Sequence, residues 1–396
     1  MAQDSLHLSA LTRQNPLRLG MVGGGRGAFI GAVHRHALQL DGYCSLVAGA
    51  LSSDGEKASA SGLEIGLPEA RSYPSLEAML VGEAALPPEQ RIEAVSIVTP
   101  NHLHLPTAKA ALAARLHVVS DKPATLTLAE ARELAAAIDI AGRQYALTHT
   151  YLGYPMVQEA RHLVASGTLG TIRKVYVEYT QGWMASRIEA DNKQAAWRSD
   201  PARSGLSGAM ADIGSHAHSL AEFVLGCPMT HVRAWLQAVV PGRDLDDDGA
   251  VFCTYEGGAT GILTASQVCA GEENLLRLRV YGEKGGLDWN QEEPNTLMLK
   301  YADGRQERRR AGSNMPLGEA AHAFSRTPSG HPEGYLEAFA NLYAGFALNI
   351  RARENGLRPP AQHLPSIKEA LRGMAFIEAV VGSSSEGGIW KELSDG

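Results

Sequence analysis

Apolar positions in the first half of the chain form short runs at residues 17–22, 45–51, 92–98, 117–120 and 144–149. Between them the apolar residues recur at three- and four-residue intervals. Examples are Val33, Ala37 and Leu40, the alanine-rich 105–115, and Ala131, Leu134, Ala135 and Ile138. Short continuous runs read as buried strands and the 3.6-residue period reads as amphipathic helix. Strand and helix in regular alternation predict a doubly wound parallel sheet over residues 17–150. Past residue 150 the period changes. A helix at 156–166 leads into a segment where Val175, Val177 and Tyr179 alternate with polar residues, the period of a half-buried strand. Further strands are expected at 232–239, 249–255, 260–268 and 275–281, with Glu256-Gly257-Gly258 as a turn between two of them. The reading is an α/β domain followed by an α+β domain over 151–396, which ends in a helix at 366–381.

Composition agrees with this picture. The 396 residues are 44% hydrophobic and 20% charged, as in ordinary globular proteins, and the length suits two domains. A net charge of −7 argues against nucleic acid or an anionic membrane as partner. Arg308-Arg309-Arg310 is the only basic cluster and reads as a solvated hairpin end. No apolar run approaches the roughly 18 residues that would span a membrane. Residues 1–16 lack a signal peptide's basic start and apolar middle, so a flexible N-terminal extension and a cytoplasmic location are expected. The four cysteines stand far apart without a Cys-x-x-Cys. No metal site is expected, which removes zinc-dependent alcohol dehydrogenases from consideration.

The candidate chemistry begins directly after the first strand. Gly23-Gly24-Gly25-Arg26-Gly27-Ala28 contains Gly-x-Gly-x-x-Ala. Gly23 would make the tight turn, Gly25 would let a pyrophosphate reach the backbone, and Ala28 would allow close helix–strand packing. The helix beginning there would offer amides and dipole to the phosphates, with Arg26 adding charge. Where an acid usually meets the adenine ribose, at the end of the second strand, the chain has Ser52 and Ser53. Their hydroxyls suit the ribose of NAD, or the missing carboxylate leaves room for the 2′-phosphate of NADP. The absence of a neighbouring arginine favours NAD. The third strand runs into Thr99-Pro100-Asn101-His102-Leu103-His104 and the fourth into Asp121-Lys122-Pro123. At a parallel sheet's carboxyl edge, where ligands bind, Thr99, Asn101 and His104 become cofactor contacts. Lys122 would reach the reacting carbon.

These three motifs in this order resemble the Gfo/Idh/MocA oxidoreductases, the glucose–fructose oxidoreductase and inositol dehydrogenase family, across nearly the whole chain after residue 16. The resemblance implies an N-terminal Rossmann domain and a C-terminal α+β domain on a large, open, mostly antiparallel sheet. That sheet's exposed face would pack a homodimer or homotetramer. It also implies that Lys122 lies near nicotinamide and substrate hydroxyl, and that Asp121, where the family usually has Glu, contacts the cofactor ribose.

In the second half, Asp212 and His216 stand four apart, which on a helix places them on one face. A carboxylate steadying a histidine base has this spacing, and Asp-x-Gly-x-His after Trp197-Arg198 resembles the family's second signature. His218 is read as a packing residue. Arg198 and Trp183 are candidates for the substrate wall, and the loop carrying His331 resembles that of sugar- and inositol-oxidising members. The expected reaction is NAD(P)-dependent oxidation of a secondary hydroxyl on a cyclic polyol, sugar or anhydrosugar. His216 takes the proton, Asp212 orients it and Lys122 steadies the oxygen. Two rivals share the scaffold: a glycosidase acting through transient oxidation and elimination, and a non-catalytic sensor of sugar or cofactor.

Overall fold

The computed structural model describes residues 2–360 and 363–393. The first half folds as the periodicity predicts. Strands β1 (Leu17–Gly23), β2 (Cys44–Ala50), β3 (Ala94–Val98), β4 (His117–Ser120) and β5 (Tyr145–Leu147) form a five-stranded sheet in the order β2-β1-β3-β4-β5. Every pairing in it is parallel. All residues of β3 are buried, as expected for a strand with helices over both faces.

The chain divides into two compact units, and their limits differ from a simple cut at residue 150. The first holds Met1–Thr125, Ala129–Thr150 and Tyr335–Ile367; the second holds Leu126–Leu128, Tyr151–Gly334 and Lys368–Gly396. The long helix Tyr335–Glu354 therefore belongs to the parallel-sheet unit. Its Phe339, Tyr343, Phe346 and Ile350 are buried in one core with Leu19, Met21, Val33 and Leu38. No periodicity in residues 335–354 could announce that partner, because the apolar face is satisfied by elements far away in sequence. The expected flexible extension is also corrected. Residues Ala2–Gln14 form a helix in which Leu8 and Thr12 are buried, the Thr12 hydroxyl donating to the Leu8 carbonyl at 2.8 Å.

The second unit is built on nine strands: β6 (Ile172–Thr180), β7 (Met229–Gln237), β8 (Asp248–Tyr255), β9 (Thr260–Ser266), β10 (Leu275–Gly282), β11 (Gly285–Asn290), β12 (Thr296–Tyr301), β13 (Gln306–Arg310) and β14 (Lys391–Glu392). Their order is β13-β12-β11-β10-β6-β9-β8-β7-β14. The pairings are antiparallel except β6 with β9. Val175, Val177 and Tyr179 of β6 are buried with the helices on one face. The other face carries charge pairs, Arg277 with Asp288 and Arg279 with Glu178. The arginine run 308–310 is a strand, not a solvated hairpin end. Arg309 is mostly covered and pairs with the fully buried Glu159 of helix Pro155–Ala165 and with Glu307.

Phe346→Ala removes a wholly buried ring from the first unit's core. It should cost about 3–5 kcal/mol, the usual range for such truncations, read as an earlier transition in urea followed by far-UV circular dichroism.

Candidate functional site

The carboxyl ends of β1, β2, β3 and β4 carry Gly23, Ser52, Thr99 and Asp121 respectively, so the parallel sheet brings the predicted cofactor residues to one edge. Gly23 has a positive φ of 79°, and a Cβ there would stand 2.7 Å from the Val98 carbonyl oxygen. At Gly25 a Cβ would lie 2.5 Å from the Leu51 carbonyl oxygen, and the Gly25 amide donates to that oxygen at 3.0 Å. Ala28 precedes helix Phe29–Leu40 in extended conformation, and no side chain caps that helix. The first-turn amides are therefore left for an anion. The Thr99 hydroxyl is buried without a hydrogen-bond partner. An uncapped helix start, a cradle with no room for Cβ atoms and an orphaned hydroxyl fit a dinucleotide.

The close helix–strand packing assigned to Ala28 is made three residues later. A Cβ on Gly31 would stand 2.1 Å from the Gly24 carbonyl oxygen, so Gly31 is the position where nothing larger fits. Arg26 is exposed and pairs with Glu64, its Nε donating at 3.1 Å. Arg35 braces the loop instead, donating from Nη1 to the Gly24 carbonyl at 2.6 Å. Ser52 accepts from the Asp54 amide at 3.2 Å, Ser53 is exposed, and Asp54 caps helix Gly55–Glu64.

Asn101 is buried in a short turn over Asn101–Leu103. His104 is only 1% exposed. Its Nδ1 lies 2.6 Å from the Pro123 carbonyl and its Nε2 2.9 Å from the Thr99 carbonyl. Burial, opposed by nearby Asp121 and these carbonyls, lowers its pKa. The ring thus ties the Thr-Pro-Asn loop to the Asp-Lys-Pro turn, which corrects its expected cofactor contact. Asp121 Oδ1 accepts from the Lys122 amide at 2.8 Å and from the Thr148 hydroxyl at 3.0 Å. Lys122 is itself half-buried.

In the second unit, Asp212 lies in a single π-turn, Met210–Gly214, which runs into helix Ser215–Leu225 carrying His216. A π-turn is wider than an α-turn and often marks a functional site. It shifts the one-face register that the four-residue spacing presumes. Asp212 Oδ2 accepts from Arg198 Nε at 3.1 Å and from Gln267 Nε2 at 3.0 Å. Arg198 is thereby committed to a carboxylate, and its guanidinium lies over the Trp197 ring at 4.3 Å; this differs from its expected role on substrate. His216 is 8% exposed, with the Tyr151 ring edge-on at 4.8 Å.

The start of this helix is held by a residue that sequence reading missed. Asp246 accepts from the Ser207 hydroxyl at 2.6 Å, the Gly208 amide at 2.8 Å and the Met210 amide at 2.9 Å. Burial nevertheless raises its pKa. At Gly208 a Cβ would sit 2.2 Å from the Asp246 carbonyl oxygen.

Also missed was a polar network joining Asp212 to the tyrosines beside His216. Gln267 Nε2 reaches Gln181 Oε1 at 3.3 Å, and Gln181 Nε2 donates to Asn274 Oδ1 at 2.7 Å. Tyr179 donates to the same Asn274 oxygen at 2.8 Å, and Asn274 Nδ2 donates to the Tyr151 hydroxyl at 3.2 Å. The two tyrosine hydroxyls bond each other. Trp183 contributes its indole N–H to Gln181 at 2.9 Å. Amides directly after β6 and β9 and before β10 were the available signal, since uncharged polar residues at inward strand ends need partners. His331 is exposed, with Nδ1 3.2 Å from the Pro328 carbonyl. Its buried neighbour Glu333 anchors that loop through the Thr327 amide at 2.8 Å and Arg326 Nη1 at 3.1 Å. His218 stacks on Phe376 at 4.5 Å and pairs with Glu222, the packing role expected.

A glycine cradle on a parallel sheet, followed by a mostly antiparallel unit with a buried histidine and a bound carboxylate, marks a dinucleotide-binding oxidoreductase. The chain belongs to the Gfo/Idh/MocA oxidoreductases. Residues 17–149 match the oxidoreductase family with NAD-binding Rossmann fold, and residues 157–288 match the GFO/IDH/MocA C-terminal domain. It is 34% identical over 390 residues to the uncharacterized oxidoreductase YfiI of Bacillus subtilis, covering 96% of this chain and 97% of that one. An inositol dehydrogenase homolog from Azotobacter vinelandii, solved with NAD+, superposes with a TM-score of 0.92 at 34% identity over 96% of this chain and 97% of that one. The same homolog solved with NADH and myo-inositol gives 0.89 over 96% and 98%. The levoglucosan dehydrogenase of Pseudarthrobacter phenanthrenivorans is 27% identical over 241 residues, 55% of this chain and 60% of that protein.

Gly31→Ala should push the Gly24 carbonyl out of the cradle and weaken NADH binding by roughly tenfold or more, a loss of about 1.4 kcal/mol. Titration of NADH fluorescence checks it, with Ala32→Gly as a control expected to stay near wild type.

Proposed function

We propose that this protein oxidises a secondary hydroxyl of a cyclic polyol, sugar or anhydrosugar, with NAD as hydride acceptor in preference to NADP. The observation that carries the reading is the second unit's network, in which Gln181, Gln267, Asn274, Tyr151 and Tyr179 surround the surroundings of Asp212 and His216 with neutral donors and acceptors. Groups of this kind suit a ligand covered in hydroxyls, and Arg198, the arginine of this network, is already bonded to Asp212. The relatives point the same way, one being named a levoglucosan dehydrogenase and another solved with myo-inositol.

The roles follow from the chemistry of each group. His216, held by tyrosine rings, accepts the hydroxyl proton; a placed base contributes roughly 10²–10⁴ in rate. Asp212, with Arg198 and Gln267 already on one oxygen, keeps a negative charge that favours the imidazolium. Lys122 polarises the substrate oxygen and steadies the alkoxide. The bound nicotinamide supplies the acceptor for the hydride. Gly23, Gly25, Ala28, Ser52, Ser53, Thr99 and Asn101 hold the dinucleotide, and Trp183 helps shape the pocket wall.

The test is an absorbance screen at 340 nm across inositols, aldoses and anhydrosugars, with NAD and then NADP. At least one compound of this group should reduce NAD, and silence across the panel would sink the reading. On the substrate found, Lys122→Ala should lower kcat about 100-fold or more while leaving NADH affinity nearly unchanged.

The open sheet face, with Trp235 63% and Phe252 55% exposed on adjacent strands, is proposed as the contact between copies in a homodimer or homotetramer. Trp235→Asp should lower the sedimenting mass, and an unchanged mass would remove this face from the assembly.

A further inference from the structure

Asp121 differs from the acid expected at its place by one methylene, and one of its two carboxylate oxygens is already bonded within the protein. Oδ1 receives the Lys122 amide and the Thr148 hydroxyl. Oδ2 faces His34, whose Nε2 lies 4.0 Å away. His34 projects from helix Phe29–Leu40 and is wholly buried. Its Nδ1 lies 2.7 Å from the Tyr343 hydroxyl, and that hydroxyl lies 2.7 Å from Ser96 Oγ on β3. Nε2 has no hydrogen-bond partner.

The direction of this chain follows from electrostatics. Burial pushes the His34 pKa down to about 4, against the pull of Asp121, so the ring is neutral and carries one proton. With the proton on Nδ1, the Nε2 lone pair would face a carboxylate across a buried gap. With Tyr343 donating to Nδ1, the proton sits on Nε2 and points at the carboxylate, the favourable arrangement. Ser96 then donates to Tyr343. Three residues from a strand, a helix and a distant helix thus hold one N–H toward Asp121.

We propose that Asp121 is a positioning residue for Lys122 rather than a ligand of the cofactor ribose, and that the buried chain Ser96–Tyr343–His34 keeps its carboxylate turned into the wall. The inference rests on the dehydrogenase reading for its catalytic consequence, but its geometry is testable without substrate. With Asp121 so held, the Lys122 backbone is clamped at the point where its side chain leaves the sheet edge.

The experiment compares Asp121→Ala, Tyr343→Phe, His34→Leu and His34→Gln in the full chain, each checked for an unchanged melting transition. In Asp121→Ala and His34→Leu, hydrogen exchange at the Lys122 amide should speed up roughly tenfold or more. In both, NADH Kd should stay within about threefold of wild type and kcat should fall about tenfold or more. Tyr343→Phe, which frees His34 to take either tautomer, should do the same more weakly. His34→Gln keeps an N–H donor of similar reach and should restore both exchange and kcat. The proposal is overturned if Asp121→Ala weakens NADH tenfold with kcat at saturating cofactor unchanged, the mark of a ribose ligand. It is also overturned if exchange at Lys122 does not respond to His34→Leu. If no substrate is turned over, the failure lies with the dehydrogenase reading, and the exchange and NADH arms still decide the role of Asp121.

Discussion

The contact between Gly24 and Gly31 is the constraint on which the first unit's chemistry depends. A Cβ at position 31 would fall 2.1 Å from the Gly24 carbonyl oxygen, so helix Phe29–Leu40 starts almost in contact with the loop after β1. That closeness aims an uncapped helix start at the carboxyl edge of the sheet. It also sends His34 inward, where it meets Tyr343. Arg35, one residue on, donates back to the same Gly24 carbonyl. Cradle, brace and buried polar chain thus share one helix whose position two glycines make possible.

The second unit solves a different problem, which is how to hold several partly buried polar groups beside a histidine. Each finds a partner on another element: Asp246 on the loop before the π-turn, Gln267 on Asp212, and Asn274 on Gln181 and two tyrosines. Groups of this kind cost stability when left unpaired, so the network keeps its members in fixed geometry. Here Asp212 is a member of an Arg–Asp–Gln cluster, more than the isolated partner of a histidine that its spacing suggested.

Much of this was legible in the residue order. The strand–glycine loop–helix opening, the alternation of strands and helices and the period-two segments of the second half all follow from local pattern. The readings that changed concern side chains whose partners are distant in sequence. Arg26 reaches Glu64, Arg198 reaches Asp212, and His104 reaches Pro123. Arg309 reaches Glu159 across the edge of its sheet. A motif gives the residue type at a site but cannot say which neighbour satisfies its hydrogen bonds.

The sequence by itself determined the elements, the glycine cradle and the family's motifs, because backbone freedom and hydrophobic period act over a few residues. Only the tertiary structure decided that residues 335–354 return to the parallel-sheet unit and bring Tyr343 to His34 and Ser96. It also decided that Asp121 turns its carboxylate onto Lys122 and Thr148. The reason is that a buried polar group must be paired, and its partner is chosen by packing between segments that lie from tens to hundreds of residues apart.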